Sequence, residues 1–160
     1  MENATSAEVQ QLCTFHVGNL FLGVDVRVVQ EVIRYQEMTA VPMAPAGVEG
    51  LINLRGKIVT AIDLRRQLGI EPSDPEKLPM NVVIRADDCM ASLLVDEIGD
   101  VVDIDPSLIE PPPGTLPESA RKYVTNVFKM ENQLLLLLDP HAAIRVVEPN
   151  SRKKREDTPK

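Results

Sequence analysis

Tryptophan is absent from this chain of 160 residues, tyrosine and phenylalanine supply two and three residues, and histidine and cysteine two each. A core without large rings must be filled by Val, Ile, Leu and Met, and their β-branched members gather in short runs that favour sheet. The histidines, His16 and His141, come with no HxxxH, no GxSxG and no cysteine nearby in sequence, which leaves little material for nucleophilic or acid–base chemistry. Cys13 and Cys89 form no CxxC or zinc spacing and lie in or beside apolar runs, so both are expected as reduced, buried thiols. Long hydrophobic stretches are missing too. Leu134–Leu138 is five leucines only, a buried strand well short of the ~20 residues of a membrane span, and no signal-peptide pattern opens the chain. These absences together point to a reduced cytoplasmic protein. Basic residues are outnumbered, 17 against 24, for a net charge of −7, which disfavours nucleic acid as a partner of the body.

The most informative segment present is Gly50–Leu64, GLINLRGKIVTAIDL. Two apolar runs flank Arg55-Gly56-Lys57, the pattern of a tight β-hairpin with Gly56 supplying the positive φ of a type II turn. Asp63 is placed to cap a short helix over Leu64–Leu68, and Gly69 to end it. The alternation of apolar residues predicts further strands at Cys13–Leu20, Leu22–Asp25, Asn81–Ala86, Met90–Val95, Asp100–Ile104, Val124–Met130 and Gln133–Leu138. One segment has helical spacing: Asp25 can cap a helix that puts Val28, Val29, Val32 and Ile33 on one side. Four apolar positions on so short a helix exceed what a small barrel covers, so Val29 or Val32 is a candidate to line a groove for a partner helix.

A faint internal repeat organises the chain. Leu22–Asp25 followed by Val28 and Val29 parallels Leu93–Asp96 followed by Val101 and Val102. The hairpin Ile52–Asp63 aligns without gaps on Phe128–Asp139, with Glu131-Asn132-Gln133 in place of Arg55-Gly56-Lys57. Asn132 tolerates positive φ, so both turns are expected to share a geometry, and Asp139-Pro140 is expected to start a second short helix. The duplication predicts an all-β fold of two tandem small β-barrels with short helices. Neither could bury enough alone, so they must share an apolar seam. Pro72, Pro75 and Pro79 mark the linker, giving subdomains at about 12–75 and 80–148 between polar tails at 1–11 and 149–160. Whether the first strand crosses to the other barrel stays open.

Other chemistry has no footing. The stretch from Gly50 to Gly56-Lys57 misses the P-loop spacing and has Ile58 where a Ser or Thr is required. The carboxylates Asp87, Asp88, Asp96, Glu97, Asp100, Asp103 and Asp105 lack the spacing of a calcium loop and alternate with Val101, Val102 and Ile104 as the solvent side of a strand pair. No metal site and no cofactor is expected. A small hydrolase or ligand-binding barrel using His16 or His141 is the rival from another class. Arg55 stands apart: its pseudo-equivalent is Glu131, so the repeat does not require a cation there, and a guanidinium on a hairpin suits a partner carboxylate.

These residues resemble the CheW-like domain family of bacterial chemotaxis. The likeness rests on Gly23–Val32, on Ala44-Pro45 through Asn53-Leu-Arg-Gly56, on Ile58-Val-Thr-Ala-Ile-Asp-Leu-Arg65, and on Leu94-Val-Asp96 with Val101-Val102 and Leu134–Asp139. Leu22-Gly23-Val24 replaces the family's aromatic-Gly-Ile, and Thr60 replaces a frequent Pro. The resemblance implies two SH3-like barrels and no enzymatic activity. It implies a scaffold that joins the cytoplasmic tips of methyl-accepting chemoreceptors to the regulatory domain of a CheA-type histidine kinase. Such a protein is cytoplasmic, recruited to membrane-associated receptor arrays without inserting in the membrane, and monomeric when free. A non-flagellar pathway, serving pili or another output, is the alternative within the family. The resemblance carries receptor binding to Arg55, Val29, Glu31 and Val32, and kinase binding to Met38, Val41 and Ile58.

Overall fold

A computed structural model describes residues 9–71 and 76–147. Ten strands fold into two five-stranded sheets. They are β1 (Gln10–Val17), β2 (Leu20–Asp25), β3 (Val29–Ile33), β4 (Val48–Leu54), β5 (Lys57–Asp63), β6 (Met80–Ala86), β7 (Cys89–Val95), β8 (Glu97–Ile104), β9 (Val124–Lys129) and β10 (Leu134–Leu138). Three short helices follow strands or precede them: α1 (Leu64–Leu68), α2 (Glu118–Arg121) and α3 (Pro140–Ala143). Asp63 caps α1 through the backbone N–H groups of Arg65 and Arg66, and Gly69 ends it at φ 75°. Asp139 caps α3 in the same way.

The sheets interlace. One has the order β8-β1-β2-β10-β9 and the other β3-β6-β7-β5-β4. Each takes a hairpin from one half of the chain and three strands from the other, joined by a parallel pairing, β2 with β10 and β5 with β7. The division at 75–80 therefore separates the repeats but not the sheets. A whole hairpin crosses in each direction, and not a single first strand. Pro72, Pro75, residues 1–8 and the tail from 149 onward lie outside the described residues. Gln10 and Gln11, expected in the N-terminal tail, belong to β1 through pairing with Ile104 and Asp103.

The repeat is visible in the registers. Ile52 pairs with Val59 and Phe128 with Leu135, as the hairpin alignment requires. The isolated bridge of Thr39 with Leu51 in one sheet is matched by that of Glu110 with Val127 in the other. β3 and β8 both carry a bulge, next to Val29–Glu31 and opposite Cys13–Phe15. Counting back from the hairpin turns, Val32 and Ile33 correspond to Val101 and Val102, whereas the sequence repeat had put Val28 and Val29 there. Short apolar runs slide against one another without penalty in sequence, and only pairing fixes them.

Four further expectations are corrected. The strand read as Cys13–Leu20 runs through a turn at Gly18-Asn19, where Gly18 has φ 60°. The helix after Asp25 is one 3₁₀ turn, Val26–Val28, capped by the Asp25 carboxylate, and Val29–Ile33 is strand β3. β-branched residues gain more by pairing with the buried Val82–Ile84 of β6 than by helical packing. Arg55 and Gly56 both have positive φ, 53° and 87°, between the paired Leu54 and Lys57, so the hairpin turn is type I′, whose twist matches the strands. Asn132 is not among the positive-φ residues, so the second hairpin turns differently.

The largest apolar cluster lies between the sheets and draws on both: Phe15, Leu22 and Val24 meet Ile62, Leu64, Val82, Ile84 and Leu93. Smaller clusters line each sheet separately, Leu12, Phe21, Ile104, Leu135 and Leu137 in one and Ile52, Val59, Ala61 and Leu94 in the other. The expected apolar seam is the main core.

Candidate functional site

β3 and β4 are the two outer strands of their sheet, and the site forms where the sheet curls to bring them together. The chain after β3 bonds to β4, Thr39 and Leu51 exchanging both backbone hydrogen bonds at 2.9 and 2.8 Å. Gly50 makes room for this crossing, since a Cβ there would stand 2.8 Å from the Thr39 carbonyl oxygen. At the same end the β4–β5 turn projects Arg55, with Asn53 Oδ1 accepting from Gly56 N–H at 2.9 Å to brace the loop.

Arg55 reaches across to Glu31 on β3. Its two terminal nitrogens donate to the two carboxylate oxygens at 2.6 and 2.8 Å, a fork-to-fork pair. The arginine side chain is 73% exposed and the glutamate 22%. The hydrogen bonds from Arg55 hold the Glu31 carboxyl below its ordinary pKa, outweighing a smaller opposing desolvation. Two residues placed together by the receptor-binding expectation are thus in contact. The bulge next to Gln30 turns the rest of β3: Val29 and Val32 pair with Ile84 and Val82, on the face toward the seam, while Glu31 pairs with Val83 on the other. Val29 packs against the main core and Val32 is 36% exposed at the strand's edge. The helix groove inferred for Val29 or Val32 is replaced by this edge strand.

The residues assigned to kinase binding are spread. Met38 packs against Ile52, Val59, Ala61 and Leu94 inside the sheet. Val41 is half-buried in the segment before β4, its carbonyl accepting from Ala44 N–H. Ile58 faces outward opposite Asn53 and is 64% exposed, beside the hairpin tip that carries Arg55.

The histidines are apart in role. His16 stacks on Phe21 with ring centroids 4.7 Å apart, and the exposed His141 has Nδ1 2.7 Å from an Asp87 carboxylate oxygen. Cys13 is buried, which pushes its thiol pKa up, and Cys89 is half-buried. Among the described residues no three metal-ligating side chains converge, and no helix is long and apolar enough to cross a membrane.

Sequence reasoning missed one polar centre. Asp96, read as part of a solvated acidic face, accepts from Arg65 Nε at 3.1 Å and terminal nitrogen at 2.6 Å, and from Gly18 N–H at 2.7 Å. Burial opposes its charge, yet the hydrogen bonds from Arg65 and Gly18 win and hold its pKa below the ordinary value. Both residues stand in segments that carry the family resemblance, but 31 residues apart, and only the fold joins them.

A family model described as CheW-like domain matches residues 11–148. The chain is 29% identical over 142 residues to the chemotaxis protein CheW of Treponema pallidum, covering 86% of this chain and 84% of that protein. It is 30% identical over 130 residues to Protein PilI of Pseudomonas aeruginosa, covering 80% and 71%. The crystal structure of the scaffolding protein TtCheW from Thermoanaerobacter tengcongensis superimposes with a TM-score of 0.73 at 30% identity, over 81% of this chain and 88% of that one.

Proposed function

Because this chain belongs to the CheW-like domain family, we propose that it is a non-enzymatic adaptor coupling the cytoplasmic tips of chemoreceptors to a CheA-type histidine kinase. The match of the family model to residues 11–148 carries the reading, since that span takes in nearly the whole of both sheets. Arg55, Glu31 and the exposed edge of Val32 form the receptor-facing surface, and Ile58, the exposed one of the three residues Met38, Val41 and Ile58, contributes to the kinase-facing one. The Arg55–Glu31 pair supports this assignment: it holds an exposed guanidinium in a fixed orientation on a rigid tip, which favours directed hydrogen bonds to a partner carboxylate.

The adaptor makes or breaks no covalent bond. It transmits a receptor shift only if its contacts differ in free energy between the two states of the kinase. The test is receptor-stimulated kinase autophosphorylation in a mixture of receptor-bearing membranes, kinase and this protein. Arg55→Ala is expected to weaken receptor binding about fivefold or more, the scale of a typical coupling energy, and to lower stimulation while leaving the circular dichroism unchanged. Unaltered stimulation would remove Arg55 from the receptor surface. Failure of the wild-type chain to retain either kinase or receptor would overturn the adaptor reading itself.

A further inference from the structure

Two polar contacts pin the seam between the sheets, and the internal repeat relates them. Asp96 is the single residue between β7 of one sheet and β8 of the other. Its N–H donates to the His16 carbonyl at 2.9 Å, and its carboxylate accepts from Gly18 N–H in the β1–β2 turn and from Arg65 at the start of α1. Arg65 also donates to the Glu71 carbonyl. The Arg65 and Asp96 side chains are only 18% and 26% exposed. At the repeat-related place, His141 of α3 meets Asp87 in the β6–β7 turn, more exposed and so more strongly screened. Each exchanged hairpin thus has its tip tied to the helix that follows β5 or β10 of the opposite sheet, through Asp96 in the first case and directly in the second.

We propose that Arg65 and Asp96 are positioning residues, a latch that fixes the angle between the two sheets, and that signal transfer requires this angle beyond the docking contacts themselves. The transfer half of the proposal rests on the adaptor reading; the latch itself does not. A bridging protein that flexes at its middle absorbs a partner's shift instead of passing it on. Carboxylate and guanidinium suit the task because a two-point contact resists rotation as well as separation.

The test compares wild type with Asp96→Asn and Arg65→Lys. Spin labels at the exposed Arg85 of β6 and Thr125 of β9, with Cys13 and Cys89 replaced by Ala, report the spread of distances between the sheets. Receptor fragment and kinase are titrated separately, and receptor-stimulated autophosphorylation is measured on the complete mixture. Asp96→Asn is expected to broaden the distance distribution, keep each single affinity within about twofold, and lower stimulation about fivefold or more. Arg65→Lys, which keeps the charge but loses the fork, is expected to fall between, and stands in if Asp96→Asn does not fold. A distribution as narrow as wild type overturns the latch whatever the partners do. A broadened distribution with full stimulation overturns its role in transfer. Loss of both single affinities in a folded variant would make the pair merely structural and overturn the proposal. Failure of the wild type to bind either partner strikes the adaptor reading, and the distance measurement still decides the latch.

Discussion

Arg55 sits at φ 53° in the first position of a type I′ turn, where Asn or Gly would lie at lower conformational cost. A residue kept against local preference on an exposed tip points to a role outside the fold. Arg55→Asn creates the Asn-Gly pair that such turns favour, so the melting temperature is expected to equal or exceed that of wild type while receptor-stimulated kinase activity falls. A drop in both would mean that the ion pair to Glu31 serves the fold first. Asp96 gives the opposite case. Its pKa is lower in the folded than in the unfolded chain, so its contribution is present above the unfolded carboxylate value of about 4 and is lost as pH falls through the folded value. Asp96→Asn should destabilise by about 2 kcal/mol near neutrality, the scale of a part-buried charged hydrogen bond. The gap between variant and wild-type melting temperatures should close as the pH falls below the unfolded carboxylate value and through the folded one, in thermal scans at descending pH.

At the scale of elements, the closing of the second sheet depends on the crossing of the chain after β3 over Gly50. Gly50→Ala would press a methyl group on the Thr39 carbonyl oxygen, 2.8 Å away, and on Met38 Cβ at 3.0 Å. The crossing is backbone and cannot swing aside, so a loss of about 2 kcal/mol is expected in urea denaturation. Hairpins were the elements most legible in the sequence. The arms of β4–β5 and β9–β10 are period-2 apolar runs around turn residues, and the caps Asp63, Gly69 and Asp139 act through neighbours two to four positions away. β3 was misread because Val28, Val29, Val32 and Ile33 satisfy a helical stripe as well as a bulged strand, and the partner that decides between them, β6, lies some fifty residues onward. The site was legible in part for the same reason. Arg55 announced itself by local contrast with Glu131, whereas its contact with Glu31 and the Arg65–Asp96 pair exist only once distant segments meet.

The whole molecule is two repeats that complete one another. Cutting the chain between 71 and 76 should therefore give two fragments that do not fold separately, because each would hold a hairpin and three strands belonging to different sheets. Mixed or co-expressed, they should assemble into one complex with native sheet content and a single melting transition, measurable by circular dichroism and size-exclusion chromatography. A fragment that shows cooperative folding alone would contradict the interlaced account. The seam cluster gives the reason for joint folding: it carries the larger share of the buried apolar residues, and only the two repeats together can form it.

The parallel pairing of β2 with β10 has a consequence in time. On the ribosome, Leu135 and Leu136 are made roughly a hundred residues after Phe21 and Leu22, their neighbours in the finished sheet. At ordinary elongation rates the interval is on the order of ten seconds. Through that interval the β2 edge of the first hairpin is bare, and the β1 edge too until β8 is made, open to aggregation or to a chaperone. Synthesis rate, rather than any single contact, thus sets how long this protein is vulnerable while it is born.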